Sequence, residues 1–540
     1  MTDQTAVLIL VLTVGVLALL LPFASHRTYL LLLSRRARKE VRSPWPEEAL
    51  PHVTVQLPVF NERHVVGRLI DAACAMDYPA HLLEIQVLDD SDDDTSRIVE
   101  ERAALWSARG IRVEHVRRPT REGFKAGALA FGAAAARGDF HLVLDADFVP
   151  PPDLVRRLLP PFQDQGVGMV QARWDHLNRN ESWLTRGQAF FLDGHFLFEQ
   201  GGRYAGGRFF NFNGTAGMWR RGCLDEAGGW QSDTLTEDLD LSYRAQMAGW
   251  RFVYLDDVAV PAEIPSTVAA LEVQQRRWSQ GGIQTARKVL PELLRGRWPL
   301  ATKIEAVIHL CGHLAHPLTL MLALLLFPSA VARRSLGLEA YLGLDLLTFL
   351  AVTVPFMVFY WRAGRMRGLP RRGLAGSVAR TLGLGVGLSV PVTRAVLRGL
   401  RETRDPFQRT PKRGDEVRSA YEGRMPSGDL LGKTGMTALM LLYLVLAVAL
   451  GYWASIPFIL LFLGGYASLA LPGLRERLGW GHTGLPQLSA LHDQQSDHRE
   501  PKEESRPHGL GPGSRFLVAG ETEVAEEREP GHQQPRPAHA

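Results

Sequence analysis

Apolar residues in this chain fall into two kinds of run. One kind is long. Residues 6–23 are nearly all apolar, and four later stretches, roughly 304–331, 338–360, 434–453 and 456–471, are apolar enough to span as well. At 1.5 Å of rise per residue, stretches of about 20 residues cross a bilayer core, and shorter ones do so with little tilt. The other kind is short and lies between residues 52 and 282. There, brief apolar runs at 53–59, 85–89, 113–116, 141–145, 168–172 and 251–255 read as strands. Helical patterns at 63–75, 95–108, 125–136, 153–162 and 238–248 separate them. Such alternation predicts a mostly parallel sheet with helices on both faces, and ligands bind beyond the carboxyl ends of its strands. A glycine-rich stretch at 381–391, edged by Arg380 and Arg394, is too short to span. Residues 373–400 therefore read as lying in the membrane interface. From 481 the chain is rich in Gly, Pro, Gln, His and Glu without apolar periodicity, the composition of a disordered tail.

The expected organisation is a membrane anchor at 1–34 and a catalytic domain at 50–290. Two spans, an interface helix and a loop follow at 291–433, then two spans at 434–472 and a tail at 481–540. Charge orients it. Asp3 is the only charge before the first apolar run, and Arg35, Arg36, Arg38 and Lys39 follow it. A signal peptide would carry basic residues first; this order instead indicates an uncleaved anchor with its N-terminus outside. If 373–400 stays in the interface, the basic loops 361–372 and 401–418 and the tail fall on the cytosolic side. The expectation is an integral multi-pass protein of the plasma membrane with a cytosolic catalytic domain.

Of the 540 residues 22% are charged, yet the net charge is only +4, which gives no electrostatic case for nucleic-acid binding. Three cysteines, Cys74, Cys223 and Cys311, show no CxxC spacing, so neither a disulfide framework nor a zinc site is expected.

Three acidic motifs carry chemistry. Asp89-Asp90 ends one predicted strand, Asp145-Ala146-Asp147 ends another, and Thr236-Glu237-Asp238 opens a helix. Asp145 and Asp147, one residue apart at a strand end, can hold Mg2+ or Mn2+ against a diphosphate. A carboxylate at a helix start can take the proton of an acceptor hydroxyl. Asp90 is placed to bind a nucleobase or a ribose. Any one such motif alone is commonly a turn or a cap; the ordered set is not so easily explained. Further on, Gln274-x-x-Arg277-Trp278 offers a guanidinium for diphosphate charge and an indole face on which a sugar can stack.

Together, Pro58-Val59-Phe60-Asn61-Glu62, Asp90, the Asp145 and Asp238 motifs and Gln274-x-x-Arg277-Trp278 resemble the processive family 2 glycosyltransferases, which include cellulose, chitin and hyaluronan synthases. Phe212-Asn213-Gly214-Thr215-Ala216-Gly217-Met218-Trp219-Arg220 and Ala227-Gly228-Gly229-Trp230 are similar to the cellulose synthase-like A and C branch, which includes glucomannan 4-β-mannosyltransferases. The resemblance covers roughly residues 50–290. It implies a GT-A fold and inversion at the anomeric carbon. Asp238 would be the base, with Glu237 beside it, and Asp145 and Asp147 would serve donor phosphates and metal. Pro58, Glu62, Asp90, Lys125, Asp145 and Arg277 would bind the nucleotide sugar, GDP-mannose or UDP-glucose. Gly214, Thr215, Gln274 and Trp278 would bind the acceptor. Phe407-Gln408-Arg409-Thr410-Pro411-Lys412 is similar to the gating loop of cellulose synthases, with Arg409 in place of Val, so that Thr410 and Lys412 would touch the donor.

The chain departs from cellulose synthases in having fewer spans and no cyclic-dinucleotide domain. Five spans form a narrow channel unless copies associate. Two rivals stand beside β-glycan synthesis. One is transfer of one or two sugars to a lipid such as diacylglycerol. The other is a membrane scaffold or transporter, which predicts lost catalytic residues and buried ionisable residues such as His309, His313, His316 and Asp345.

Overall fold

The computed structural model describes residues 2–36, 43–338, 342–401 and 427–477. Among them seven strands form one sheet: β1 (Val53–Val59), β2 (Leu83–Asp89), β3 (Arg112–Val116), β4 (Phe140–Val143), β5 (Val167–His176), β6 (Gly217–Arg220) and β7 (Arg251–Ala262). Their order is β3-β2-β1-β4-β6-β5-β7. β1 pairs in parallel with both β2 and β4, β2 with β3, and β5 with β7. β6 runs antiparallel to both neighbours. The sheet is thus mostly parallel, as expected, and mixed through β6, which has no counterpart among the expected strands. Its four residues, Gly-Met-Trp-Arg, are too few for periodicity to register.

The central strands are buried nearly throughout because both faces are covered. Their few polar residues pair across the register. Thr54 Oγ1 donates to Glu84 Oε2 at 2.6 Å, and Gln56 Nε2 to Gln86 Oε1 at 3.1 Å. Such pairs satisfy groups that would otherwise be costly to bury.

The catalytic region carries helices α2 (Val66–Cys74), α3 (Thr95–Ser107), α4 (Phe124–Ala135), α5 (Leu154–Leu158), α6 (Trp183–Gly194), α7 (Gly201–Ala205), α8 (Arg221–Glu226), α9 (Glu237–Met247) and α10 (Val268–Arg295). A π-helical turn, His195–Gln200, joins α6 to α7. One large cluster of buried side chains fills one side of the sheet, around Val55, Leu69, Ile85 and Leu158. A second gathers Phe212, Trp219, Trp230 and Phe252, with Phe212 and Trp219 rings 5.5 Å apart and edge-to-face.

The remaining helices are α1 (Asp3–Ser34), which precedes the sheet, then α11 (Leu300–Leu310), α12 (Ala315–Ser335), α13 (Leu342–Met366), α14 (Leu374–Gly387), α15 (Ser389–Arg401), α16 (Ser427–Ala449) and α17 (Ile456–Arg477); all are apolar but α15, which is amphipathic and carries Arg394, Arg398 and Arg401. Among the described residues five helical segments are long and apolar enough to cross a membrane: Asp3–Ser34, Gly312–Ser335, Leu346–Met366, Gly428–Ala449 and Trp453–Arg475. Their outward faces show why. Val11 and Val14 in α1 and Val445 in α16 are about 60% exposed, which suits lipid and not water. The apolar run at 304–331 is not one helix; it breaks at Cys311–Leu314, between α11 and α12. α14 and α15 meet at 46°, either a broken span or a re-entrant turn. α15 packs along α10 of the catalytic region, where Arg287 Nη1 donates to the Gly399 carbonyl at 3.1 Å.

The α/β catalytic domain with an apolar helical region is the architecture the sequence predicts. The chain divides into Met1–Gly481 and His482–Ala540, and the second unit lies outside the described residues.

Candidate active site

A cavity opens at the carboxyl ends of β1, β2 and β4, where strand ends leave backbone groups and short loops free to meet a ligand. Pro58 and Glu62 line it from the end of β1, and Asp90 from the end of β2. Asp145 and Asp147 line it from the turn after β4, which ends at Val143, two residues before the expected strand end.

Asp89 and Asp90 part company. Asp89 is buried and structural. Burial opposes its charge, but hydrogen bonds from His115, Ser91 and Ser96 outweigh that and hold its pKa at about 2. Asp90 faces the cavity and is gripped by Arg118, with Nε at 2.7 Å from Oδ1 and Nη2 at 2.6 Å from Oδ2. This two-pronged pairing fixes the carboxylate plane.

Lys125 sits in the first turn of α4. Gly123 and Phe124, both in the left-handed region at φ 70° and 49°, turn the chain into that helix. The Lys125 ammonium contacts Asp145 Oδ1 and donates to the Gly214 carbonyl at 2.9 Å. Burial disfavours its charge, but Asp145, Glu237 and Asp238 together hold its pKa above the ordinary lysine range.

Asp145 N–H donates to Thr215 Oγ1 at 2.9 Å. Thr215 is fully buried and does not line the cavity. Its expected contact with an acceptor is therefore corrected to support of the Asp145 turn from behind. Asp147 is 2% exposed, and its Oδ2 accepts the Glu263 N–H at 3.1 Å. Among the described residues no cage of three or more His, Cys, Asp or Glu side chains is present. The pair nevertheless suits Mg2+ or Mn2+. Its donors are hard carboxylate oxygens in one turn, and such ions commonly take one or two carboxylates and complete their shell with phosphates and water.

Thr236, Glu237 and Asp238 enter from the start of α9. Thr236 is buried against α10, where a Cβ on Gly281 would come within 2.6 Å of its Cγ2. Only glycine there lets the two helices approach so closely. Gly214, at φ 80°, does the same across the cavity, since a Cβ would lie 2.9 Å from Asp238 Oδ2. Asp238 has its pKa pushed up to about 7, first by burial and then by the neighbouring charge of Glu237, with Lys125 pulling the other way. A carboxylate near neutrality is suited to take a proton.

Gln274, Arg277 and Trp278, at helical spacing on α10, complete the wall. Thus twelve expected site residues share one cavity: Pro58, Glu62, Asp90, Lys125, Asp145 and Asp147, with Gly214, Glu237, Asp238, Gln274, Arg277 and Trp278. Thr410 and Lys412 lie outside the described residues.

Several lining residues were not among the expected ones. Arg121 stacks on Phe60, its guanidinium carbon 3.3 Å from the ring centroid. Trp174 and His176 come from β5, which runs four residues past its expected end at Ala172. Reading that strand further would have brought both to a carboxyl end. Asn213 is held by Asn211 Nδ2 at 2.8 Å and faces His195 Nε2 at 3.3 Å. Two of the three membrane-proximal histidines reach the catalytic region: His309 Nδ1 lies 2.9 Å from Tyr243 Oη, and His313 Nδ1 lies 3.1 Å from Ser279 Oγ and stacks with His316.

Residues 51–281 match the family described as Glycosyltransferase like family 2. The chain is 44% identical over 252 residues to glucomannan 4-beta-mannosyltransferase 2 of Arabidopsis thaliana, covering 46% of this chain and 47% of that protein. It is 38% identical over 317 residues to glucomannan 4-beta-mannosyltransferase 1 of Oryza sativa subsp. japonica, covering 56% and 61%. The matched region spans about half the length of the first relative and three fifths of the second. A solved mannosyltransferase from Pyrobaculum calidifontis, in complex with GDP-Man and Mn2+, superposes with a TM-score of 0.47 at 22% identity, over 68% of this chain and 98% of that one.

Proposed function

We propose, from the match of residues 51–281 to the family 2 glycosyltransferases, that the chain is an inverting, membrane-bound hexosyltransferase. It transfers mannose from GDP-mannose, or glucose from UDP-glucose, to the 4-hydroxyl of a growing β-linked glycan. The names of its plant relatives support the mannosyl reading. The observation that carries the chemistry is Asp238, a carboxylate with its pKa at about 7, in the same cavity as Asp145, Asp147 and Arg277.

Asp238 accepts the proton of the acceptor hydroxyl. The freed oxygen forms a bond to the anomeric carbon as the bond from that carbon to the diphosphate oxygen breaks, and the nucleoside diphosphate leaves. Arg277 and Lys125 meet the charge that develops on it. Asp145 and Asp147 would hold Mg2+ or Mn2+, which supplies further charge neutralisation when bound. Asp90, fixed by Arg118, presents its carboxylate to the nucleobase or ribose. Trp278 gives the acceptor an apolar face.

The same reading sets the catalytic domain on the cytosolic side of the plasma membrane. The cationic cluster after α1, including Arg35 and Arg36, supports this orientation.

Asp238→Asn removes the base while keeping the shape. Transfer from labelled donor in membranes should fall by about 10²–10⁴-fold, with nucleotide diphosphate binding retained. Full transfer by the folded variant would overturn the assignment. Product analysis with both donors names the sugar. An insoluble polymer fits β-glycan synthesis, and a chloroform-soluble product fits glycolipid synthesis instead.

A further inference from the structure

Helix α10 has two polar faces. Gln274, Arg277 and Trp278 face the cavity. Glu272 and Arg276, one turn apart, face away from it, toward α15 and α16. There a cluster of charges from three helices gathers, buried except for the half-exposed Arg394. Lys433 of α16 pairs with Glu272, and both side chains are wholly inaccessible. Asp429 of α16, 4% exposed, accepts from Arg276 Nη1 at 2.8 Å and from Arg394 Nη1 of α15 at 2.5 Å. Glycines let the helices close on the cluster: a Cβ on Gly432 would lie 2.8 Å from Val390 Cγ1, and one on Gly428 3.0 Å from Arg394 Nη1.

Apolar side chains would join these helices without the desolvation that buried charges incur. What charges set, and apolar contacts set weakly, is register, because each ion has few acceptable partners. Register matters on this helix. A slip of one residue turns α10 by about 100° and shifts it about 1.5 Å, which would carry Arg277 and Trp278 out of the cavity.

We propose that Glu272, Arg276, Asp429 and Lys433 are positioning residues for transfer. Acting through α10, they fix the rotation and height at which Arg277 meets the departing diphosphate and Trp278 the acceptor. The membrane helix α16 thereby sets the geometry of the catalytic cavity. This inference rests on the transfer reaction proposed above.

The test uses the full chain, purified in detergent, with labelled GDP-mannose and UDP-glucose. Turnover by the unsubstituted chain is the control for that earlier reading; its absence counts against the reaction and not against the cluster. Because Arg277 acts on charge developed during transfer, Lys433→Met and Asp429→Asn should lower kcat by about tenfold or more, with donor KM changed less than about threefold. Lys433→Arg should keep most of the rate. The exchange Glu272→Lys with Lys433→Glu should recover kcat relative to Lys433→Met, and it decides the matter if Lys433→Met does not fold. A folded exchange variant that stays as slow as Lys433→Met overturns the proposal, as does an exchange variant that fails to fold. So does a folded Lys433→Met or Asp429→Asn with an unchanged kcat, even if its melting temperature is lower, since that outcome assigns the cluster to stability alone.

Discussion

Two lysine–carboxylate pairs in this molecule look alike on paper and do opposite work. Lys125 and Asp145 meet at the cavity, with side chains 14% and 36% exposed. Lys433 and Glu272 meet behind α10, both wholly buried. The first pair is open on one side, so a ligand or ion can reach it and each member can change partner. The second has no such access, and its members stay with the buried partners they have. The same chemistry thus yields a pair open to a ligand where solvent enters and a sealed one where it does not. The junction between α1 and the catalytic region repeats the second case. There Glu305, 1% exposed, accepts from Arg203 Nε at 2.8 Å and lies 2.9 Å from His26 Nε2.

The sharpest way to break this contrast is to remove an anion from each setting. Glu305→Gln should leave the buried Arg203 with only the more distant Glu199, 4.0 Å away, and lower stability by about 3 kcal/mol, read as an earlier melt in detergent. Its kcat per folded molecule should change little; a large kcat loss with an unchanged melt would show that the junction is part of the reaction. Asp145→Asn should do the reverse. The rate should fall by about 10²–10³-fold while the melt stays near that of the unsubstituted chain, and the response to added Mg2+ or Mn2+ should weaken.

The pH dependence sharpens the same point with a smaller effect. As the proposed base, Asp238 must be unprotonated, and burial and Glu237 push its pKa up to about 7. kcat/KM should therefore climb as pH rises through about 7 and level off above it. Glu237→Gln removes the negative neighbour that helps raise this value, so the rising limb should move to lower pH by about one unit or less. A limb that stays in place would exclude Asp238 as the group that titrates. The smallest effect belongs to a pair in neither setting. Arg97 and Glu101, 63% and 61% exposed at 2.6 Å, are solvated, and Arg97→Ala should cost no more than about 0.5 kcal/mol in a denaturation curve.

Most of the cavity was legible because its residues sit in short motifs at element ends. Asp145-Ala146-Asp147 follows an apolar run, and Thr236-Glu237-Asp238 precedes an amphipathic one, so period and punctuation place both. Thr215 was misread because it shares a motif with Gly214, yet in the turned chain the two residues face opposite ways. Arg118 was missed because nothing near it in sequence marks its partner, Asp90, 28 residues away. β6 was missed because four residues cannot show a period. The break at Cys311–Leu314 was missed because hydropathy is nearly blind to where a helix ends inside an apolar run.

The sequence by itself determined the α/β domain, the apolar helices and the carboxylates that line the cavity, since each rests on local pattern and residue chemistry. Tertiary structure alone decided which charges stay reactive and which are sealed. Exposure of an ion depends on what other elements cover it. Glu272 is covered by a helix 161 residues further along the chain, and no local pattern records that distance.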